Sequence, residues 1–331
     1  MALLAVRGFR RYLGSGKSLP VVRAHLMTLD DCDHLFATVH KAASPAEACH
    51  ALTPLFEHYE VISIELMRGI VFWRARVAAD RPWQALSEMG YPPAPSVRPG
   101  RLNDEHSPCL YAATRVNTAL AEISVQAGDF VQIAGFRIKR ETPIRIAVVG
   151  ELYHAHKMGY LRLVGTDPGR SMSRYLNQLG FERGERVLYI DAFLASLLAD
   201  ADLKQTDYIL SRAVASMIYR NAEIDGIMFP SVRDLHGMNL ALKPFPFDSK
   251  VHPVCCLHAR IKKLRSFGFL DYEVTSEAAR VSTDGMLHWH NPQPSGNLTF
   301  FNLTKEEYDE AMRSNGSPDS FLNVMSAHNE R

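Results

Sequence analysis

Hydrophobic and polar positions alternate along the chain with two different periods, and each period predicts one kind of element. From residue 31 to residue 43 (DCDHLFATVHKAA) apolar residues recur at helical spacing. Ser44, Pro45 and Glu47 follow as a capping box with proline at the first helical position, so a second helix should begin at Ser44. These patterns predict a small helical cap over about residues 30–66.

Strand signals begin at Gly69–Val77 (GIVFWRARV), where the alternation places Arg74 and Arg76 on one face. A helix is predicted over Thr206–Arg220, and Ser173–Leu179 is a further helix candidate in the less clear stretch 150–185. More strands are predicted at Phe130–Ile138, Ile144–Val149, Ala222–Ser231, Asn239–Leu242 and Val251–Arg260. Because strands and helices mix without a regular βαβ rhythm, we expect an α+β fold of split, bent antiparallel sheets with flanking helices.

Changes in composition divide the chain into three parts. Residues 1–66 comprise a basic N-terminal arm, with no acid before Asp30, and the helical cap. Residues 67–265 form the main domain, and residues 266–331 are a polar C-terminal appendage. The arm is interpreted as a partly ordered terminus, with a transit peptide and a basic contact surface as alternatives.

Overall composition bounds the class of protein. Apolar residues make up 47% and charged residues 22%, as in ordinary globular proteins. A net charge of +1 provides no field for nucleic acid or acidic membranes, and no apolar run reaches the ~20 residues of a bilayer span. Five irregularly spaced cysteines do not resemble a disulfide framework. We expect a cytoplasmic protein.

The candidate chemistry lies between Gly100 and Glu122 (GRLNDEHSPCLYAATRVNTALAE). Arg101, Tyr111 and Glu122 supply a cation, an aromatic ring and a carboxylate, ten and then eleven residues apart. A second predicted strand, GIMFPS, ends at Ser231. Each residue also has a structural explanation: a surface arginine, a core tyrosine, a solvated glutamate and a serine that caps a turn.

Two other motifs are weaker. Gly14–Ser18 (GSGKS) lacks the first glycine and the preceding strand of a phosphate-binding loop. His252, Cys255, Cys256 and His258 gather soft metal ligands, but no second pair follows, so we predict no metal site.

The motifs GRLN, LYAAT, ALAE, and DGIMFPSVR with NLAL resemble the RES domain family over about residues 70–257. Leu102 stands where family members typically have tryptophan, and the turn after Asn103 is more polar than usual. The resemblance implies an ADP-ribosyltransferase-like sheet and an NAD-consuming toxin paired with an Xre-type antitoxin. It further implies that Arg101, Tyr111, Glu122 and Ser231 are the catalytic residues.

The chemistry of these residues agrees with that implication. A carboxylate such as Glu122 stabilises the positive charge of an oxocarbenium-like state, and Arg101 is suited to a phosphate oxygen. Tyr111 is positioned to stack on nicotinamide, and Ser231 to bind ribose or orient Glu122. Arg74 is a second phosphate candidate, and Asn239 a residue that fixes the serine loop. NAD is then the substrate, with no cofactor and inorganic phosphate as a possible co-substrate.

Three functional hypotheses remain open at this level. The first is NAD cleavage at the nicotinamide–ribose bond by hydrolysis or phosphorolysis. The second is transfer of ADP-ribose to a protein on the same scaffold, and the third is a catalytically silent binding module. For an NAD-consuming toxin, three roles of the flanking segments are open: occlusion of the site, self-association as a homo-oligomer, and replacement of a separate inhibitor.

Overall fold

A computed structural model describes residues 27–66, 71–140, 142–160, 166–200, 207–235 and 237–292. Its helices are α1 (Leu29–His40), α2 (Pro45–His58), α3 (Val116–Glu122), α4 (Glu151–Met158), α5 (Thr166–Leu179), α6 (Phe181–Ala199), α7 (Ile209–Tyr219) and α8 (Pro244–Lys250). Its strands are β1 (Ile62–Leu66), β2 (Val71–Ala78), β3 (Leu110–Ala113), β4 (Phe130–Ile138), β5 (Ile144–Val148), β6 (Gly226–Pro230), β7 (Met238–Leu242), β8 (Val251–Leu264) and β9 (Leu270–Ala278). The basic arm predicted over the first residues and the chain after residue 292 lie outside the described residues.

The strands form one mixed sheet in the order β1-β5-β6-β7-β3-β2-β4-β8-β9, which confirms the α+β class. The antiparallel prediction fails at one pair, because β5 and β6 run parallel. A parallel pair needs a long crossover, and here α4 to α7 provide it between the two strands. Of these helices, α7 confirms the helix predicted over Thr206–Arg220, and α5 overlaps the candidate Ser173–Leu179.

The sheet consists of two well-paired halves joined at one place. β2 and β3 share a single residue pair, Trp73 with Ala113, whereas β2 pairs with β4 along its whole length. Gly135 of β4 lies opposite Trp73, and a Cβ at Gly135 would come within 3.0 Å of the indole ring. The buried Trp73 packs with α3, so the helix that carries Glu122 lies over the junction between the halves.

The N-terminal helices begin at side-chain caps. Ser44 Oγ accepts the N–H of Glu47, which confirms the predicted start of α2. The full reciprocal capping box is instead at Thr28 and Asp31, before α1. Phe36 of α1 stacks on Phe193 of α6 with ring centroids 3.8 Å apart, so these helices share the core of the main domain.

The described part of the C-terminal segment joins the same sheet. β9 pairs with β8 from Leu264–Leu270 to Cys256–Ala278. Trp289 Nε1 donates to the carbonyl of Trp83, 3.1 Å away. Residues 270–278, which we assigned to the appendage, therefore extend the sheet of the main domain. None of the helices described here has the length and hydropathy needed to cross a membrane.

Candidate active site

Three segments converge on the carboxylate of Glu122, the last residue of α3. Ser231, directly after β6, donates its hydroxyl proton to Glu122 Oε1 at 2.6 Å. Asn239, in β7, donates from Nδ2 to the same oxygen at 2.6 Å. Register brings these donors together, since β6 and β7 pair antiparallel and Phe229 lies opposite Asn239. From the sequence we expected Asn239 to fix the loop of Ser231; in the structure its amide donates directly to Glu122.

The hydroxyl of Ser231 has every hydrogen-bonding position occupied. Its Oγ accepts the N–H groups of Arg233 and Asp234, each at 3.1 Å, and its proton points to Glu122. This is a serine turn whose side chain also reaches across to α3. The arrangement fixes the orientation of Oγ, so Ser231 orients the carboxylate and also caps the turn that follows it.

A second contact between α3 and the serine loop was not predicted. The fully buried Thr118 donates its hydroxyl to Asp234 Oδ2. Thr118 lies one helical turn before Glu122, so both side chains project from the same face of α3. Gly237 allows this close approach, because a Cβ there would lie 2.7 Å from Asp234 Oδ2 and 2.8 Å from Thr118 Cγ2. In the sequence, this contact could have been inferred only from two spacings: Thr118 lies four residues before Glu122, and Asp234 lies three residues after Ser231.

Tyr111 holds the tight turn that carries Arg101. Its hydroxyl accepts the N–H of Leu102 at 2.7 Å and donates to Asn103 Oδ1 at 2.8 Å. Gly100 is required in this turn, since a Cβ there would lie 2.4 Å from Asn103 Oδ1. Burial raises the pKa of Tyr111 well above its usual value, so the phenol stays protonated.

Arg101 extends from this turn to the end of α6. Its Nη1 donates to the carbonyl oxygens of Leu198 and, at 3.1 Å, Asp200. Burial lowers the pKa of Arg101, and among the charges that oppose this effect Glu122 contributes most. The two predicted catalytic residues therefore lie within electrostatic range, although neither Arg101 nor Tyr111 belongs to the hydrogen-bonded group around Glu122.

Arg74 supports the same region from β2. Its Nη1 donates to the main-chain carbonyl of Tyr111 at 2.8 Å. Burial, then the like charge of Arg76, lowers the pKa of Arg74 to about 10. No hydrogen-bond partner for Arg74 Nε is found among the described residues. Arg76, on the same strand face, instead lies over the ring of Trp83 at 4.7 Å.

Tyr208 is another residue that the sequence analysis missed. It precedes α7 with φ 58° and ψ 27°, a left-handed conformation that is rare for a non-glycine residue. Its phenol lies within electrostatic range of both Arg101 and Tyr111. No motif pointed to this residue, because its proximity depends on how α7 packs against α2 and α6.

The cysteine and histidine group on β8 is committed to packing and internal contacts. Cys255 and Cys256 are buried, and burial of Cys256 raises the pKa of its thiol. The ring nitrogens of His258 lie 2.7 Å from Thr275 Oγ1 and 3.0 Å from the carbonyl of Ala79. Within the described part of the chain, no group of three or more histidine, cysteine or acidic residues is placed to hold a metal ion.

The fold and the site together define an α+β protein whose candidate active site is centred on one oriented carboxylate. The RES domain family model matches residues 71–261, more than half of the 331-residue chain. The chain therefore belongs to the RES domain family, which consists generally of NAD-related toxin domains. A comparison with curated protein sequences gave no match. All six residues of the predicted site fall inside the matched segment.

Proposed function

We propose that this protein cleaves the nicotinamide–ribose bond of NAD, by hydrolysis or phosphorolysis. The observation that carries the proposal is the carboxylate of Glu122, which two donors hold through a single oxygen, Oε1. Among the described residues, Oε2 has no hydrogen-bond donor and is left to face a substrate. Membership of a family of NAD-related toxin domains supports the same conclusion.

The reaction needs a negatively charged group that stabilises the positive charge that develops on the ribose as the bond breaks. The bond between ribose C1′ and the ring nitrogen breaks heterolytically, and its electron pair neutralises the pyridinium to give nicotinamide. Positive charge then develops on C1′ and the ring oxygen of the ribose. Oε2 of Glu122 accepts a hydrogen bond from the ribose 2′-hydroxyl and stabilises that charge. In hydrolysis, water attacks C1′ and releases a proton, and the product is ADP-ribose. In phosphorolysis, inorganic phosphate attacks C1′ instead, and the product is ADP-ribose phosphorylated at that carbon.

The other site residues position the two ends of NAD. Arg101 uses one nitrogen for the end of α6, which leaves the rest of its planar fork for a pyrophosphate oxygen. The ring of Tyr111 stacks on nicotinamide while its hydroxyl holds the turn of Arg101. Arg74 keeps the carbonyl of Tyr111 in place and adds positive charge. NAD is the substrate, so the chemistry requires no cofactor.

With this activity, the protein would act as a toxin in the cytoplasm. Loss of NAD there arrests growth, so we propose an Xre-type antitoxin as the partner that restrains it. Expression in bacteria without an inhibitor is expected to lower cellular NAD and stop growth, whereas Glu122→Gln should permit growth.

The direct test is to incubate the purified protein with NAD and identify the products by chromatography, with and without phosphate. Free nicotinamide with ADP-ribose indicates hydrolysis, and phosphate-dependent formation of the 1-phosphate indicates phosphorolysis. If NAD labelled in its ADP-ribose part transfers the label to an added protein instead, the alternative of ADP-ribosyl transfer is correct. Undiminished NAD with a folded, inhibitor-free protein would refute the proposal and favour a silent binding module.

A further inference from the structure

A cleft of about 400 Å³ opens between α7 and the polar turn at residues 102–109. This volume lies within the usual range of small-molecule sites. The lining includes Asn103, Ser107, Pro108, Arg212, Tyr219 and Lys243. Polar groups and apolar surface thus face the same space.

The cleft is separate from the Glu122 site. It lies where β3 begins and β7 ends, with Cys109 and Lys243 in its wall. Glu122 instead contacts Asn239, near the start of β7. Four residues of extended chain, about 13 Å, separate Asn239 from Lys243. None of Glu122, Ser231 and Asn239 lines the cleft.

Three cations face the cleft, and among the described residues only one of them, Arg212, is in an ion pair. Arg212 binds the single acid in the lining, Asp104, through Nε at 2.7 Å and Nη2 at 2.6 Å. Within the described part of the chain, no carboxylate lies at ion-pairing distance from Lys243 or Arg220. The lining therefore carries an excess of two positive charges.

Lys243 is the most constrained of these cations. Its Nζ lies 4.6 Å from the centroid of the Tyr219 ring, and the side chain is half-buried. Burial lowers the pKa of Lys243, and the charge of Asp225, which is itself paired with Lys250, only partly opposes this shift. A desolvated ammonium gains more from an incoming anion than a solvated one does.

We propose that this cleft is a binding site for the phosphate group of a small phosphate ester. Lys243 and Arg220 supply the charge, and Ser107 and Ser216 supply neutral hydrogen-bonding groups beside it. The apolar surface of Leu102 and Pro108 covers the rest of the ligand. This site does not depend on NAD cleavage at Glu122.

The test measures binding to the full chain by calorimetry, with inorganic phosphate, ribose 5-phosphate and unphosphorylated ribose as probes. We expect saturable binding of the two phosphates and none of ribose. Hydrogen exchange should localise the protection to residues 107–109 and 209–220, because residues 102 and 103 also belong to the turn that carries Arg101. Protection confined to residues 228–239 would place the ligand at the Glu122 site and overturn the proposal, as would the absence of binding at millimolar phosphate.

Variants separate this cleft from other basic surface. Lys243→Met with Arg220→Gln should weaken phosphate binding about tenfold or more. The matched control is Lys157→Met, since Lys157 also lies over a tyrosine, Tyr153, at 5.6 Å but on α4. Unchanged binding by a folded Lys243→Met/Arg220→Gln protein contradicts the proposal. Glu122→Gln should bind phosphate normally even if no variant cleaves NAD.

Discussion

Replacement of Glu122 by glutamine tests the proposed chemistry most directly, because the structure fixes how the amide must sit. Ser231 and Asn239 both donate to Oε1, so the new carbonyl oxygen takes that position. The opposite orientation would set the amide N–H₂ against two donors. The N–H₂ group therefore faces the substrate where Oε2 was. The variant loses both the charge and the acceptor on that side.

The expected effects on turnover and on stability differ sharply. Removing a preorganised group that acts on developing charge costs about 3 kcal/mol, or about a hundredfold in kcat. The KM for NAD should change little, since the charge on the ribose develops only as the bond breaks. Both donors remain satisfied, so the free energy of unfolding should change by less than about 1 kcal/mol.

The assay follows nicotinamide release by chromatography over a range of NAD concentrations, with thermal unfolding as the check on the fold. Glu182→Gln is the matched control, because Glu182 is exposed at the start of α6. Its kcat should equal that of the parent. A Glu122→Gln protein that folds normally and turns over NAD at the parental rate would refute the mechanism.

Three further predictions follow from other contacts. Asn239→Ala removes one of the two donors to the carboxylate and should lower kcat about tenfold in the same assay, with KM nearly unchanged; an unaltered kcat would show that this donor is dispensable. Gly100→Ala forces a Cβ towards Asn103 Oδ1 and should lower the free energy of unfolding by about 1–3 kcal/mol in denaturant titrations, whereas an unchanged midpoint would contradict the tight turn. Burial raises the pKa of Tyr59 and Tyr219 well above 10, so their contribution to stability is present below pH ~10 and is lost as pH rises further. Stability measured in denaturant should therefore fall above pH ~10, and less steeply in Tyr219→Phe; equal slopes would argue against this assignment.

Short-range patterns in the sequence determined where many of the helices and strands form. The alternation of apolar and polar residues located β4 at Phe130–Ile138, with the bounds that the structure has. Side-chain capping at Ser44 located the start of α2. These features depend on interactions within a few residues of one another, so a single sequence contains them. The motif spacing likewise brought Arg101, Tyr111, Glu122 and Ser231 forward as the candidate site.

Contacts between residues far apart in the sequence decided which side chains meet at the site and how the sheet is completed. The sequence placed Asn239 on a strand, but only the register of β6 against β7 brings its amide to Glu122. The sequence predicted that Arg101 binds phosphate, but it did not predict that Arg101 also contacts the end of α6. That contact joins residues about a hundred positions apart in the sequence. β9 completes the sheet only through its pairing with β8, which its own weak pattern did not indicate. Strand register and helix packing are set by the whole core, so local periodicity determines where elements form but not which side chains meet.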